Sequence, residues 1–165
     1  MSKTDEYLKE AFSGETQANR KYLAFAAKAE QEGHLQAARL FRAASEAEAV
    51  HANNHLLAMN GIKGTKENLR EAIAGETQEF KEMYPAMIKA AKSEGNRAAE
   101  RSFVYANAVE RIHADLYHMM LETFDTVKET YPYYICPVCG MTAEREPPER
   151  CPICGAKGER FKRIE

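Results

Sequence analysis

The stretch Glu48-Ala-Val-His51 follows Glu15 in the chain, and the same pattern returns as Glu110-Arg-Ile-His113 after Glu76. Residues three apart share one face of an α-helix, so each Glu-x-x-His pair directs a carboxylate and an imidazole to one point. Four helices that supply two such pairs and two further glutamates form the ligand set of bundles that hold two iron or manganese ions. The sequence therefore predicts an all-α four-helix bundle around a two-metal site.

These ligand positions belong to an internal repeat of a helical hairpin. Residues 8–17 and 69–78 are identical at seven of ten positions, and both contain Gly-Glu-Thr-Gln. The offset is 61 residues there and 62 at the Glu-x-x-His pairs, so the second copy contains one inserted residue. Both copies retain the proposed ligands although their flanks differ, which favours a metal site over chance retention of surface carboxylates.

Two helices are expected in the first copy, from about Asp5 to Gln31 and from about His34 or Leu35 to Met59. Gly61 suits the left-handed position that ends a helix. Several apolar residues at helical spacing are expected to form the core, namely Leu8, Phe12, Leu23, Phe25, Leu40, Phe41, Val50, Leu56 and Leu57.

The second copy is expected to form two further helices. The first of them extends from Thr65, whose hydroxyl suits an N-cap, to Glu94, and Pro85 is expected to kink it. The other begins at Asn96, also a suitable N-cap, and extends to Lys128 or Thr130 before Pro132.

The two copies differ at one position of the proposed site. Glu79 lies one helical turn after Glu76, whereas the first copy has Ala18 at the equivalent position. Excess ligands let an ion change partners, and His51 and Glu79 are natural competitors for one metal. A neutral imidazole suits a ferrous ion, and an added carboxylate suits a ferric one. The candidate ligands of the bundle are Glu15, Glu48, His51, Glu76, Glu79, Glu110 and His113.

A second metal-binding pattern lies near the end of the chain. Two Cys-x-x-Cys pairs, separated by eleven residues, contain all four cysteines, which are Cys136, Cys139, Cys151 and Cys154. This pattern is typical of a four-thiolate metal site. So short a segment cannot form a sufficient core, so a bound ion must supply much of its stability. Iron and zinc both suit four thiolates, and the spacing does not decide between them.

Charge and hydropathy indicate which partners and which cellular compartment to expect. The 23 basic and 25 acidic residues give a net charge of -2, which argues against nucleic acid as a partner. No run of 18 apolar residues is present, and residues 1–7 lack the apolar core of a signal peptide, so we expect no membrane association. The cysteine pattern suits metal binding in a reducing compartment, and we expect a cytoplasmic protein.

In combination, these motifs resemble the rubrerythrin family along nearly the whole chain. The resemblance rests on the order of Gly-Glu15, Tyr22, Glu48-x-x-His51, Gly-Glu76-x-x-Glu79, Met83-Tyr84-Pro85, Glu110-x-x-His113 and the terminal cysteine pairs. It implies a ferritin-like di-iron four-helix bundle over residues 1–131 and a rubredoxin-like domain with one iron bound by four cysteines over residues 132–165.

The resemblance also implies roles for individual residues. Glu15, Glu48, Glu76, Glu79, Glu110 and His113 would bind the two oxidised irons. His51 would take one iron from Glu79 on reduction, and Tyr22 and Tyr84 would lie beside the site, within hydrogen-bonding reach of its carboxylates or of a bound oxidant.

The activity that the resemblance implies is the reduction of hydrogen peroxide in oxidative-stress defence. Electrons would come from an external donor, a rubredoxin or an NAD(P)H-dependent reductase, through the cysteine-bound iron, a position that zinc can occupy in a recombinant preparation. Two alternatives from other classes are a ferroxidase or iron-handling protein, and a non-catalytic electron carrier or zinc-ribbon interaction protein.

The link between the second and third helices predicts a helix-swapped homodimer. If these helices run parallel, eleven residues from Glu48 to Met59 and eleven from Thr65 to Glu76 separate the joined ends by about 33 Å. The six steps from Met59 to Thr65 span only about 20 Å. Frayed helices or an up-down-up-down bundle would also resolve the conflict, but a short hinge between two similar hairpins favours exchange.

Overall fold

The computed structural model describes residues 2–165, which divide into two units, one ending at Lys63 and one spanning Gly64–Glu165. The first unit is a hairpin of two helices. The second contains a further helical hairpin followed by a three-stranded sheet. Across residues 2–165 no helix is both long and apolar enough to cross a membrane.

Helices α1 (Lys3–Gln31) and α2 (Leu35–Ala58) form the first unit. Ser2 and Asp5 cap α1 reciprocally, because the amide of Asp5 donates to the Ser2 hydroxyl at 3.1 Å and the amide of Ser2 donates to the Asp5 carboxylate at 2.9 Å. After α2 the left-handed residue is Asn60, with a φ of 52°, and not Gly61 as expected. Asparagine tolerates this conformation better than other side chains with a Cβ atom.

Small residues form the contact between α1 and α2. The buried residues are Ala26, Ala29, Ala38, Ala52 and Ser45. The expected core is wrong for five larger residues, because Leu23, Phe25, Leu40, Val50 and Leu57 are 38, 47, 68, 57 and 60% exposed. A two-helix hairpin can bury only one stripe of each helix, so apolar residues on the other faces of α1 and α2 stay open to solvent.

The helices of the second unit are α3 (Thr65–Gln78), α4 (Tyr84–Ser93) and α5 (Arg97–Thr123). Asn96 caps α5 as expected, since its Oδ1 accepts the amide of Ala99 at 3.1 Å. The other two expected ends are wrong. Gly64, not Thr65, is the N-cap of α3. Helix α5 ends at Thr123 and not at Lys128 or Thr130, and the hydroxyl of Thr126 donates to the carbonyl of Thr123 at 3.0 Å.

A π turn, Glu79–Met83, joins α3 to α4. The amide of Tyr84 donates to the carbonyl of Glu79, five residues earlier, so this turn contains one residue more than an α-turn. The irregularity therefore begins before Pro85, which lies in the first turn of α4, and the predicted proline kink is instead a π turn. The turn lies where the repeat offset changes from 61 to 62, so it accommodates the inserted residue.

The cysteine domain is built on strands β1 (Tyr133–Ile135), β2 (Thr142–Glu144) and β3 (Lys162–Ile164), in the order β2-β1-β3. Both pairings are antiparallel, and Tyr134 faces Ala143 on one side and Arg163 on the other. The two cysteine turns have the same backbone, since Gly140 and Gly155 each donate an amide to the first cysteine's carbonyl at 2.9 Å. Both glycines have a positive φ, 85° and 77°, which a residue with a Cβ atom rarely adopts.

Candidate metal centres

The first copy of the repeat gathers Glu15 from α1 with Glu48 and His51 from α2. Their ligand atoms all lie within 4.8 Å of one another. Nδ1 of His51 is 2.9 Å from a carboxylate oxygen of Glu48 and 3.9 Å from one of Glu15. The hydrogen bond to Glu48 raises the pKa of Glu15, because the two carboxylates share one proton.

The second copy gathers Glu76 from α3 with Glu110 and His113 from α5, again within 4.8 Å. Nδ1 of His113 is 2.8 Å from Glu110 and 3.8 Å from Glu76. Burial and the charge of Glu110 raise the pKa of Glu76 to about 7. The two copies therefore form the same three-residue cluster, one in each unit.

These clusters have the chemistry of cation sites. Two ionised carboxylates at hydrogen-bonding distance repel each other. In each cluster the raised pKa of one glutamate, Glu15 or Glu76, lets the pair keep a proton, which reduces this repulsion. A divalent ion relieves the repulsion more fully and displaces the proton. Carboxylate oxygen and imidazole nitrogen together suit iron, manganese or zinc.

The four cysteines meet in the last domain. Sγ of Cys136 lies 3.5 Å from Sγ of Cys154, and Sγ of Cys139 lies 3.5 Å from Sγ of Cys151. These distances exclude disulfides and fit a tetrahedral site, in which sulfurs about 2.3 Å from an ion are about 3.8 Å apart. Burial raises the pKa of the Cys136 thiol, but the amides of Val138 and Cys139 more than offset this and lower it to about 7.

The comparisons with known proteins agree with this arrangement. The rubrerythrin family model matches residues 6–121, and the model of the rubrerythrin rubredoxin-like domain matches residues 134–162. The chain belongs to the rubrerythrin family. Membership confirms the expected fold class, a ferritin-like helical part followed by a small rubredoxin-like domain.

Individual relatives are similar over most of their length. Rubrerythrin-2 of Clostridium acetobutylicum is 35% identical over 158 residues, which cover 84% of this chain and 84% of that protein. Nigerythrin of Nitratidesulfovibrio vulgaris is 35% identical over 160 residues, which cover 88% of this chain and 79% of that protein. A solved structure of nigerythrin in its fully reduced, all-ferrous state has a TM-score of 0.60 at 33% identity and covers 99% of this chain.

Glu79, a candidate ligand in this rubrerythrin-family chain, lies outside the compact second cluster. It is the first residue of the π turn. Burial and the charge of Glu110 raise the pKa of Glu79, and the charge of His113 opposes the rise. The Glu79 carboxylate is therefore close enough for the charges of Glu110 and His113 to shift its pKa, but it is not one of the three residues that form the cluster.

The two tyrosines that the sequence predicts beside the site, Tyr22 and Tyr84, occupy equivalent positions of the repeat. Tyr22 and Tyr84 are 62 residues apart, which is the offset of the repeat after the π turn. The Tyr22 ring lies 6.2 Å from Phe41, and the Tyr84 ring lies 6.3 Å from Phe103. Burial and the charges of Glu110, Glu79 and Glu76 raise the pKa of Tyr84, so its hydroxyl keeps its proton and can donate.

Two features of the second copy, one contact and one unpaired atom, have no signal in the rubrerythrin motifs. Nε2 of His113 lies 2.9 Å from the hydroxyl of Thr142 in the cysteine domain. Oδ1 of Asn107, on α5, is buried and unpaired within residues 2–165. Asn107 occupies the repeat position of Ser45, whose hydroxyl oxygen accepts a hydrogen bond from Asn19 at 2.9 Å. The repeat position of Asn19 falls within the π turn of the second copy, so Asn107 has no equivalent of Asn19 as a partner.

Proposed function

We propose that this protein reduces hydrogen peroxide to water at a di-iron site and receives electrons through an iron bound by its four cysteines. The observation that carries the proposal is the pair of carboxylate–imidazole clusters in a chain that also contains a four-thiolate cluster. An iron-storage protein needs no one-electron relay, whereas a reductase that turns over repeatedly does. Family membership and the all-ferrous state of nigerythrin support iron at these positions.

Two ferrous ions held by the seven proposed ligands would supply one electron each, which matches the two electrons that cleavage of one O–O bond requires. Two protons must accompany those electrons to give two water molecules. Tyr84 keeps its hydroxyl proton and can donate a hydrogen bond to a peroxide oxygen.

Glu79 and His51 are proposed to exchange as partners of one metal. The first residue of a π turn is a suitable place for a side chain that changes position, because π turns often occur at functional sites. His51 is suited to the same exchange because its contacts are with the carboxylates of its own cluster, whereas His113 is also held at Nε2 by Thr142. A carboxylate would replace an imidazole when the metal charge rises.

The site is proposed to be completed in a helix-swapped homodimer. Each unit gathers one three-residue cluster by itself, and the link from α2 to α3 has only six residues. The exposed Leu40, Val50 and Leu57 of α2 provide an apolar surface that a second chain could cover. One site would then combine Glu15, Glu48 and His51 of one chain with Glu76, Glu79, Glu110 and His113 of the other.

A reoxidation experiment tests the activity. The iron-loaded protein is reduced without air, and its absorbance is followed after mixing with equimolar hydrogen peroxide or oxygen. We expect peroxide to reoxidise it at least about tenfold faster, with a substrate discrimination of about 1.4 kcal/mol in the barrier. Faster reoxidation by oxygen would contradict the proposal and favour the ferroxidase.

The visible spectrum tests the electron relay. A ferric ion bound by four thiolates is red, whereas zinc is colourless. The proposal expects this colour to bleach on addition of a reduced rubredoxin and to return when peroxide is added. A cysteine site that stays colourless after treatment with peroxide, in protein purified from its native cells, would exclude the relay and favour a zinc-ribbon protein. A reducing compartment such as the cytoplasm would keep the four thiols available for iron.

A further inference from the structure

His113 is held at both of its ring nitrogens. Nδ1 lies 2.8 Å from a carboxylate oxygen of Glu110, and Nε2 lies 2.9 Å from the hydroxyl oxygen of Thr142. Thr142 is the first residue of strand β2 and follows Cys139 by three positions. One imidazole therefore joins the carboxylate cluster to the cysteine domain.

A second hydrogen bond of Thr142 leaves its hydroxyl oxygen available as an acceptor. The hydroxyl donates to the carbonyl oxygen of Gly140 at 3.3 Å, so its oxygen can accept a hydrogen bond from Nε2 of His113. With a metal ion in the cluster of Glu76, Glu110 and His113, Nδ1 would offer its lone pair to the ion and Nε2 would keep the ring proton.

The surroundings of the hydroxyl are mainly apolar. A cavity of about 360 Å³ adjoins His113 and Thr142, and its other lining residues are five apolar side chains and two tyrosines, namely Leu69, Leu116, Met120, Ile135, Ile164, Tyr117 and Tyr133. Without the Thr142 oxygen, the Nε2 proton would face this apolar lining. An unsatisfied donor is costly, so the ring would rotate or change its protonated nitrogen.

His51 provides the comparison within the same chain. It has the same contact through Nδ1, at 2.9 Å from Glu48, but its side chain is 54% exposed against 27% for His113. Helix α2 is followed by a link to α3, whereas α5 is followed by the cysteine domain that contains Thr142. The difference between the two histidines therefore follows from what comes after each helix in the chain.

We propose that Thr142 is a positioning residue that fixes the proton of His113 at Nε2 and directs its Nδ1 lone pair toward a divalent metal ion. The proposal rests on the metal site of the proposed function but not on peroxide chemistry. Outer-sphere hydrogen bonds of this kind orient histidine ligands and increase their affinity for metal. The folded cysteine domain thus prepares one ligand of the helical site.

Nuclear magnetic resonance of the ring nitrogens tests the proposal in the full-length zinc-loaded protein. Zinc at Nδ1 leaves the ring proton of His113 on Nε2, so the exchange rate of that proton is the readout. We expect it to exchange with water more slowly than the ring proton of His51. Exchange as fast as in His51 would overturn the proposal. Because this measurement uses no peroxide, it tests the role of Thr142 even if the protein proves not to be a peroxidase.

Two substitutions sharpen the test. Thr142→Val removes the hydroxyl and keeps the β-branched shape, and Thr142→Ser keeps the hydroxyl. After the cysteine site is filled, we expect zinc affinity of the helical site to fall about tenfold in the valine variant and to be largely retained in the serine variant. His51 signals should not change in either. Equal affinity in all three proteins would contradict the proposal, and the wild-type spectrum decides it even if the valine variant misfolds.

Discussion

The two copies of the repeat present the same three side chains in different surroundings. In the first copy, His51 is 54% exposed and its contacts are carboxylates of its own hairpin. In the second copy, His113 is 27% exposed and its Nε2 atom bonds to Thr142 of the cysteine domain. The second copy also contains the π turn and the additional carboxylate of Glu79. A duplicated ligand set has thus become one restrained half and one freer half.

This difference suggests that the two copies of the ligand set have different roles. A restrained ligand suits a metal that must stay in place while its charge changes, and a freer ligand suits an exchange of partners. The π turn explains how the second copy contains an inserted residue without losing the repeat. The inserted residue is taken up within one turn, so Tyr84 and Glu110 keep the faces that Tyr22 and Glu48 have in the first copy.

The largest difference is expected between the two histidines. His113→Ala should weaken metal binding at the helical site by more than about 100-fold, which exceeds the usual effect of losing an outer-sphere partner. His51→Ala should leave the oxidised metal site largely intact and weaken mainly the ferrous form. Iron affinity in each oxidation state, measured by competition with a chelator, checks both. Equal losses in the two variants would remove the distinction between restrained and freer halves.

The next effect concerns Glu79. Glu79→Ala should leave the bundle folded and metal-bound, because the first copy has Ala18 at this position, but should lower peroxide turnover at least about tenfold. The matched control is Glu82→Ala, which removes an exposed carboxylate from the same π turn. Steady-state peroxide consumption is the measurement. If both variants turn over like the wild type, Glu79 has no part in the mechanism.

The smallest effect is a pH dependence of the metal-free protein. The pKa of Glu76 is raised from 4.5 to about 7 in the folded state, so the folded chain binds a proton there that the unfolded chain releases. The free energy of unfolding should therefore fall as pH rises from 4.5 to 7, by roughly 1 to 2 kcal/mol after allowance for solvent screening.

Glu76→Gln tests this contribution because it removes the titrating group and keeps the shape of the side chain. The variant should be more stable than the wild type at pH 7.5 without metal and should lose its advantage below pH 4.5. Urea unfolding of both metal-free proteins at several pH values measures the slope. An unchanged slope in the variant would show that Glu76 does not titrate as described.

Much of the arrangement follows from the sequence because its causes are local. Residues three apart on a helix meet by geometry, so both Glu-x-x-His pairs were predictable, and the cysteine spacing predicted the four-sulfur cluster. Asn96 marks the start of α5 because its side chain can accept from the helix amides, as it does from Ala99. The change of repeat offset also indicated an inserted residue between Gln78 and Ala91.

The rest depends on contacts that a pattern does not specify. The offset does not tell whether an inserted residue forms a loop, a kink or a π turn. Thr142 lies 29 residues beyond His113, and no motif relates them. The exposure of Leu40 and Val50 depends on how many helices pack against α2. The periodicity of apolar residues along α2 does not give that number.

The central claim is that the two halves of one metal site come from different chains, and subunit mixing tests it most directly. Glu15→Ala and Glu110→Ala chains carrying different affinity tags are unfolded, refolded together, loaded with iron and purified as heterodimers. Helix exchange places both substitutions in one site and leaves the other intact, so we expect about half of the wild-type peroxidase activity per dimer. A Glu15→Ala and Glu48→Ala mixture, with both changes in the first half, should recover none. Inactive heterodimers from the first mixture would contradict the account.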